Sequence, residues 1–459
     1  MLLRRNPQFR ASVSSRNIDP SGNNQRKSLR FFLVGLIILI VGSVGWITIS
    51  GIIAFKNISA KNADDRSSFF RHNGEISPDQ LLGEGDSRIN ILTLGIDAAA
   101  GLTDSIEIVS IDPINKKMAL LSVPRDLYVF NSAENRKTKI NEVYNSGTSA
   151  CQKAKKTCDP KVDSGGALMK KTIAEALGIQ VSYFARVDFS GVKKIVDQMG
   201  GIQVYVDKAI YDPKYPNLTN TGYDPFSIKA GLQNLNGETA LKYSRSRQTT
   251  SDFDRTRRQQ QIISAIREKA LQLNFLVNPK KITDLISTIG RNFKTDLQSN
   301  EIVSLTKMIA EIDSDKTTTA ILDNGSNGPL VSTVNNIGQY VLVPRLGEND
   351  WADVQEFAMT ALPEPYLVKE TARIKIVDAT GRKDAGTDLK KKLTTLGYTV
   401  SRVETSASIQ KNSTITYLND KPYTLALLKR RFGLKPSENK ATTGSEDIIF
   451  TIGSSFTLK

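Results

Sequence analysis

The spacing of hydrophobic positions changes several times along this chain of 459 residues. Residues 31–55, FFLVGLIILIVGSVGWITISGIIAF, carry no charged side chain. A helix of that length covers the roughly 30 Å hydrocarbon core of a bilayer with some tilt to spare. Beyond it, short apolar runs alternate with stretches of helical period. RINILTLGI (88–96), SIEIVSID (105–112) and KMALLSV (117–123) are β-branched and bounded by turn residues, so they predict strands. DSGGALMKKTIAEALGI (163–179) sets Leu168, Ile173, Ala176 and Leu177 on one side of a helix. YFARVDF (183–189) returns to strand, GVKKIVDQMGG (191–201) to helix and IQVYVD (202–207) to strand. A long amphipathic helix covers Asp252 to Leu273. Weaker helices over 279–290, 300–312 and 351–360, with a strand over 317–322, complete the unit. Alternation of this kind predicts an α/β fold: a central mixed β-sheet flanked by helices on both faces.

LPEPYLVKET (362–371), with two prolines, reads as a linker. Residues 372–459 then predict a small C-terminal α/β domain, with strands RIKIVDA, YTVSRVE and DIIFTIG and helices over 384–396 and 422–432. Its GRKDAGT turn (381–387) has G-x-x-x-x-G spacing, but Thr387 stands where a phosphate-binding loop needs lysine, so the turn reads as structural. The expected order is a basic tail (1–30), one transmembrane helix (31–55), a polar stalk (56–87), a large α/β domain (88–361), the linker and the small domain.

Charge refines this picture. The chain is formally +15, which invites a nucleic-acid reading. However, Arg4, Arg5, Arg10, Arg16, Arg26, Lys27 and Arg30 face only Asp19 on the N-terminal flank of the apolar run. The positive-inside rule puts that flank in the cytoplasm and everything after residue 56 outside, anchored in the cell membrane. A cleaved signal peptide is the competing reading, but the apolar run is about twice the usual length for one. The only cysteines, Cys151 and Cys158, fall on the outer side, where a disulfide is the expected state and a metal site the lesser alternative. The single histidine is His72, in the stalk. The large domain therefore has no Ser-His-Asp triad, Cys-His dyad or histidine-rich zinc site.

The densest charge lies in LKYSRSRQTTSDFDRTRRQQQ (241–261). Arg245 and Arg247, two apart in an extended segment, point to one face. On the helix starting at Asp252, that residue, Arg255 and Gln259 fall within about 60° of one another. They continue the apolar stripe of Ile262, Ile263, Ile266 and Ala270, whereas Arg257 falls on the solvated side, with Arg258 at its margin. Arginine forks suit phosphate, and a helix N-terminus adds free N–H groups. The alternative is a salt-bridge network with no ligand. Arg125, in SVPRD, ends an apolar strand, and Lys139 precedes a helix. Asp97 and Asp104 close a short loop, where paired carboxylates serve either as turn formers or as ligands for a hard cation such as Mg²⁺. Stacking aromatics are not interleaved with these arginines, so no nucleic-acid partner is expected.

In this order and at these separations, LTLGID…TDSIEIVSIDP, SVPRD, KINEVY, LNGETALKYSRSR and DFDRTRRQQQ resemble the LytR-CpsA-Psr family of cell-wall glycopolymer transferases. The resemblance covers about 88–275 and fades through about 350. Residues 372–458 resemble the LytR C-terminal domain through VDATGRKDAGTDLKKKLTTLGYTV. It implies a polyprenyl-pyrophosphate-linked glycopolymer as donor, bound with its lipid in an apolar tunnel, and peptidoglycan as acceptor. It also implies Asp97 and Asp104 as ligands of Mg²⁺ (or Mn²⁺), and Arg125, Arg245, Arg247 and Arg255 as the pyrophosphate grip, with Lys139 assisting. Asp252 and Gln259 would orient the arginines or the acceptor, and Asp104 or Asp252 would receive the hydroxyl proton. Leu102 stands where the family usually has arginine. Two rival readings are a polyprenyl-pyrophosphate binder or pyrophosphatase without transfer, and a non-enzymatic wall-binding protein.

Overall fold

The computed structural model describes residues 66–97, 101–154, 163–217, 221–246, 252–272, 290, 292–438 and 444–458. The apolar run at 31–55 and residues 279–289 of an expected helix lie outside them, and among the described residues no helix is long and apolar enough to cross a membrane. In chain order the large domain contains a helical turn α1 (Ser68–Arg71), then β1 (Ile89–Asp97), β2 (Leu102–Asp112), β3 (Lys117–Ser122), β4 (Tyr128–Asn131), β5 (Arg136–Lys139), α2 (Ile140–Ala154) and α3 (Ser164–Leu177). These are followed by β6 (Tyr183–Asp188), α4 (Phe189–Gln198), β7 (Ile202–Val206), β8 (Ile210–Asp212), β9 (Phe226–Ile228), β10 (Gly231–Leu235), α5 (Gly237–Arg245) and α6 (Asp252–Gln272). Last come β11 (Phe293–Thr295), α7 (Ser299–Ala310), β12 (Thr317–Ile321), β13 (Leu330–Val334), β14 (Tyr340–Pro344) and α8 (Ala352–Ala361).

Six strands pair in the order β11-β6-β1-β2-β3-β12. The β1–β6 and β3–β12 pairings are parallel and the rest antiparallel, so the sheet is mixed. Alternation along β1 sends Ile89 and Ile91 to one core and Leu92, Leu94 and Ile96 to the other. The first core is closed by Val196 of α4, Tyr243 of α5, Ile262 and Ile266 of α6 and Leu305 of α7. The second is closed by Val143 of α2, Ile173 of α3 and Val354 of α8. Helices thus cover both faces, as the alternating pattern predicts.

The hairpin β1–β2 differs from expectation in a way that matters for the site. The strands continue pairing to Asp97↔Leu102, so Asp104 does not end a loop; it lies inside a strand. Register runs from Gly95↔Ser105 to Ile96↔Thr103, which leaves Asp104 as the extra residue of a β-bulge. A bulged residue escapes the alternation of its strand and can be re-aimed.

The small domain follows as α9 (Pro365–Glu370), β15 (Arg373–Ala379), α10 (Ala385–Thr395), β16 (Thr399–Thr405), β17 (Thr414–Tyr417), α11 (Pro422–Phe432), β18 (Ser437–Glu438) and β19 (Ile448–Gly453). Its sheet order is β16-β15-β19-β17-β18. The two short strands β17 and β18 carry too few apolar positions to be read from the sequence. In the 381–387 turn, the Asp378 carboxylate accepts from Thr380 N (3.0 Å), Thr380 Oγ1 (2.7 Å) and Gly386 N (2.7 Å). A protein carboxylate thus takes up the donors that a phosphate would need, as a structural turn requires.

Two expected connectors are packed structure. The linker at 362–371 contains α9, because Pro365 at the first helical position has no N–H to lose and Glu364 caps the helix by accepting from Tyr366 N. Tyr366 and Leu367 enter the small domain's core, and the Tyr366 and Tyr423 rings stack at 3.7 Å. The described part of the stalk, 66–87, folds against both domains. Ile76 and Leu81 are buried in the small domain's core, while Phe70 packs edge-on against Tyr183 of β6. Glu84 receives two hydrogen bonds from Arg431, each 2.7 Å, and one from Tyr398 Oη at 2.8 Å. The segment is polar on average, but its few apolar side chains are the ones that find cores.

Candidate active site

The carboxyl ends of β3 and β12 meet the bulge of β2 and the first turns of α6. After β3, Val123 N donates to Ile106 O (2.9 Å) and a turn closes between Leu127 N and Pro124 O (3.1 Å). This turn carries Arg125 and Asp126 over the sheet edge. A cleft opens there, lined by Asp104, Ser105, Glu107 and Ser122 from the sheet, Arg125 and Asp126 from the turn, and Arg255 and Gln259 from α6. Asn324, Tyr340 and Leu342 form its rim.

Four of the residues singled out in the sequence therefore share one cleft: Asp104, Arg125, Arg255 and Gln259. Lys139 joins them through Asp126. Lys139 Nζ lies 2.7 Å from Asp126 Oδ1, Asp126 Oδ2 lies 3.5 Å from Arg125 Nε, and Arg125 Nη1 lies 3.0 Å from Asp104 Oδ1. The result is an alternating row of cation, anion, cation and anion with side chains 12–20% exposed. Within the row the charges balance. Arg255, 5% exposed, brings a further cation and Glu107, 5% exposed, a further anion. Ser122 Oγ donates to Glu107 Oε1 at 3.1 Å, across the β2–β3 pairing that sets the two residues opposite each other.

The remaining predicted residues are placed differently. Arg245 is the last residue of α5, so the extended segment expected there is helical up to it; Asn236 caps the helix by accepting from Thr239 N. Arg245 is absent from the cleft lining and hydrogen-bonds Tyr215, whose hydroxyl is raised by burial against the opposing charge of Arg245. Arg247 and Cys158 lie outside the described residues, as do the side chains of Asp97 and Asp252. Cys151 is disulfide-bonded.

Arg257 is exposed, as its helix face predicts, but Arg258 is not. Arg258 is 5% exposed; its Nε donates to Tyr243 O at 2.9 Å and its Nη2 to Ser246 O. Burial lowers its pKa, opposed by the field of Tyr243 and nearby aspartates. A cation at the carbonyl end of α5 fixes the corner from which α6 departs, and so fixes the direction in which Arg255 enters the cleft. The sequence reading missed Glu107, Asp126 and Arg258 as site-forming groups. Glu107 had left a signal, as the only charge inside the apolar run SIEIVSI.

Among the described residues no three His, Cys, Asp or Glu side chains cluster as a metal site. Asp104 is a carboxylate at the cleft, and β1–β2 pairing brings the backbone of Asp97 to the same end of the sheet. One or two carboxylates completed by phosphate oxygens and water suit Mg²⁺, and Asp104 is the described member of the expected pair.

Comparison with known proteins agrees with this architecture. Residues 48–345 match the LytR_cpsA_psr family model and residues 371–456 the model described as LytR cell envelope-related transcriptional attenuator. The regulatory protein MsrR of Staphylococcus aureus is 33% identical over 224 residues, which is 47% of this chain and 60% of that protein. The polyisoprenyl-teichoic acid–peptidoglycan teichoic acid transferase TagV of Bacillus subtilis is 28% identical over 290 residues, or 61% of this chain and 68% of that protein. TagU of Enterococcus faecalis, named for the same transfer, is 30% identical over 223 residues, 46% of this chain and 63% of that protein. The chain thus spans 60% of the length of MsrR and 63% of that of TagU. Because the first family model takes in more than half of the chain and contains the whole cleft, the chain belongs to the LytR-CpsA-Psr family.

Proposed function

We propose that this protein transfers a glycopolymer from a polyprenyl-pyrophosphate carrier to peptidoglycan outside the cell membrane. The observation that carries the reading is the convergence of Arg125, Arg255, Gln259 and Asp104 on one cleft at the carboxyl end of the sheet, with Lys139 one ion pair away. Relatives named as teichoic acid transferases support a wall glycopolymer as the substrate class.

The chemistry follows from the charges. An acceptor hydroxyl attacks the sugar-proximal phosphorus; its O–P bond forms as the P–O bond of the bridge breaks. Polyprenyl phosphate leaves with the bonding electrons, and the hydroxyl proton passes to a carboxylate, Asp104 or Asp252. Such a reaction asks the protein mainly for positioning and charge neutralisation. In the free protein Arg125 is held between Asp104 and Asp126. A diphosphate entering the cleft offers it stronger, bidentate acceptors and releases Asp104 from the ion pair. Arg255 enters the same cleft from α6 and brings a second guanidinium to the diphosphate. A Mg²⁺ held by Asp97 and Asp104 would add Lewis-acid neutralisation of the phosphate oxygens.

The test is direct. Full-length protein in detergent is incubated with a lipid-pyrophosphate-linked oligosaccharide, peptidoglycan and Mg²⁺, and wall-linked sugar is counted. Transfer is expected from the wild type. Release of lipid phosphate without any wall-linked product would replace this reading with a pyrophosphatase.

A further inference from the structure

Residues 324–344, NGSNGPLVSTVNNIGQYVLVP, contain no charged side chain. They form the hairpin β13–β14, in which Val334 pairs with Tyr340. Its base is core: Leu330 and Leu342 are buried. Its tip is not, with Val334 64%, Ile337 65% and Tyr340 49% exposed. The tip is also built to hold that shape. Asn335 Oδ1 accepts from Ile337 N (3.1 Å) and Gln339 N (2.9 Å), Gly338 N donates to Asn335 O (3.0 Å), and Gly338 takes the positive φ of 79° that the turn needs. Ile337 is thereby presented at the apex, where most of its apolar surface faces out of the protein. Tyr340 belongs to both surfaces, since it also rims the cleft.

We infer that the tip of the β13–β14 hairpin docks into the lipid bilayer surface and holds the mouth of the cleft against it. Two aliphatic side chains and a tyrosine on an uncharged ribbon suit the boundary between headgroups and acyl chains, where tyrosine is enriched. The tether agrees. With the apolar run 31–55 taken as the membrane anchor, positions 56–65, which extended reach at most roughly 35 Å, keep the domain within that distance of the bilayer. The inference rests on the lipid-linked donor proposed above: a pyrophosphate carried on a membrane lipid reaches the cleft only at that surface.

The full chain is placed in nanodiscs of phosphatidylglycerol and phosphatidylethanolamine with a trace of doxyl lipid. An environment-sensitive fluorophore is attached at Ile337→Cys or, as control, at Ile409→Cys, an exposed position (69%) in the small domain. Doxyl quenching at 337 at least about twofold above that at 409 is expected for interfacial insertion; equal quenching at the two sites overturns the inference. Val334→Ser/Ile337→Ser should transfer about tenfold less from carrier embedded in nanodiscs, yet equally well from a short-chain, water-soluble carrier analogue. An equal loss on both donors also overturns it. Should the wild type transfer from neither donor, the transferase reading fails, while quenching still decides the docking.

Discussion

Two regions of this molecule are built around charged side chains, and they use them in opposite ways. At the cleft, Asp104, Arg125, Asp126 and Lys139 partner one another through side chains alone, at partial exposure. At the joint between the domains, Glu364 and Arg88 are sealed and accept from or donate to backbone as well as side chains. Glu364, 1% exposed, accepts from Gly85 N at 2.6 Å, from Tyr366 N at 3.3 Å and from Ser87 Oγ. Arg88, 5% exposed, donates to Pro363 O at 3.0 Å. A carboxylate held by peptide N–H groups cannot change partners without unfolding its surroundings. An ion pair facing a cleft can exchange one oxygen acceptor for another at little cost. The joint therefore fixes geometry, and the cleft keeps charge available.

The sharpest break of this contrast is Arg125→Ala. Transfer should fall by about 100- to 1,000-fold, as when a preorganised electrostatic donor is removed, while the thermal midpoint changes little. A large loss of stability with retained activity would show that the two regions are not divided as described. Glu84→Ala tests the joint at its side-chain pair: Arg431 is left without its bidentate partner, and the expected cost is about 1–3 kcal/mol in denaturant unfolding. In the wild type, burial would raise the Glu84 carboxyl, but the hydrogen bonds and charge of Arg431 hold it below the ordinary range.

Glu364 gives a smaller and more specific signal. Burial raises its carboxyl to about 7 from 4.5, against the hydrogen bonds from Ser87 and the backbone. The folded state then binds the proton more tightly than the unfolded state, so the contribution to stability is fully present below 4.5 and is lost as pH rises towards 7. Glu364→Gln should flatten that slope in thermal melts across the interval; an unchanged slope would assign it to other groups. The smallest effect is expected for Arg257→Ala. This side chain is exposed on the solvent face of α6, so transfer should stay within about twofold and stability within about 0.5 kcal/mol.

Much of this organisation was legible in the residues. The strand runs at 88–123, the helix over α6 and the small domain's α/β alternation were set by local periodicity, because each element has to bury its own apolar side. Arg255 and Gln259 could be placed at the pocket end of α6 for the same reason: they continue the stripe of Ile262 and Ile266, both 2% exposed. Arg258 could not, since the carbonyls it serves belong to another helix, and helical angle alone leaves it at the margin. The two prolines of 362–371 give the pattern of a linker, because sequence alone does not reveal that a helix starts at Pro365.

The sequence by itself determined the sheet, its helices, the family and the list of cationic groups, since periodicity and motif spacing are properties of the chain. Only the tertiary structure decided that Asp104 sits on a bulge facing Arg125, that Arg245 turns to Tyr215, and that residues 66–87 of the supposed stalk pack against both domains. Those outcomes depend on register and on contacts between residues distant in sequence: 21 positions for Arg125 and Asp104, and 347 for Glu84 and Arg431. The energy of such contacts appears only when strands and helices have met, and no local pattern carries it.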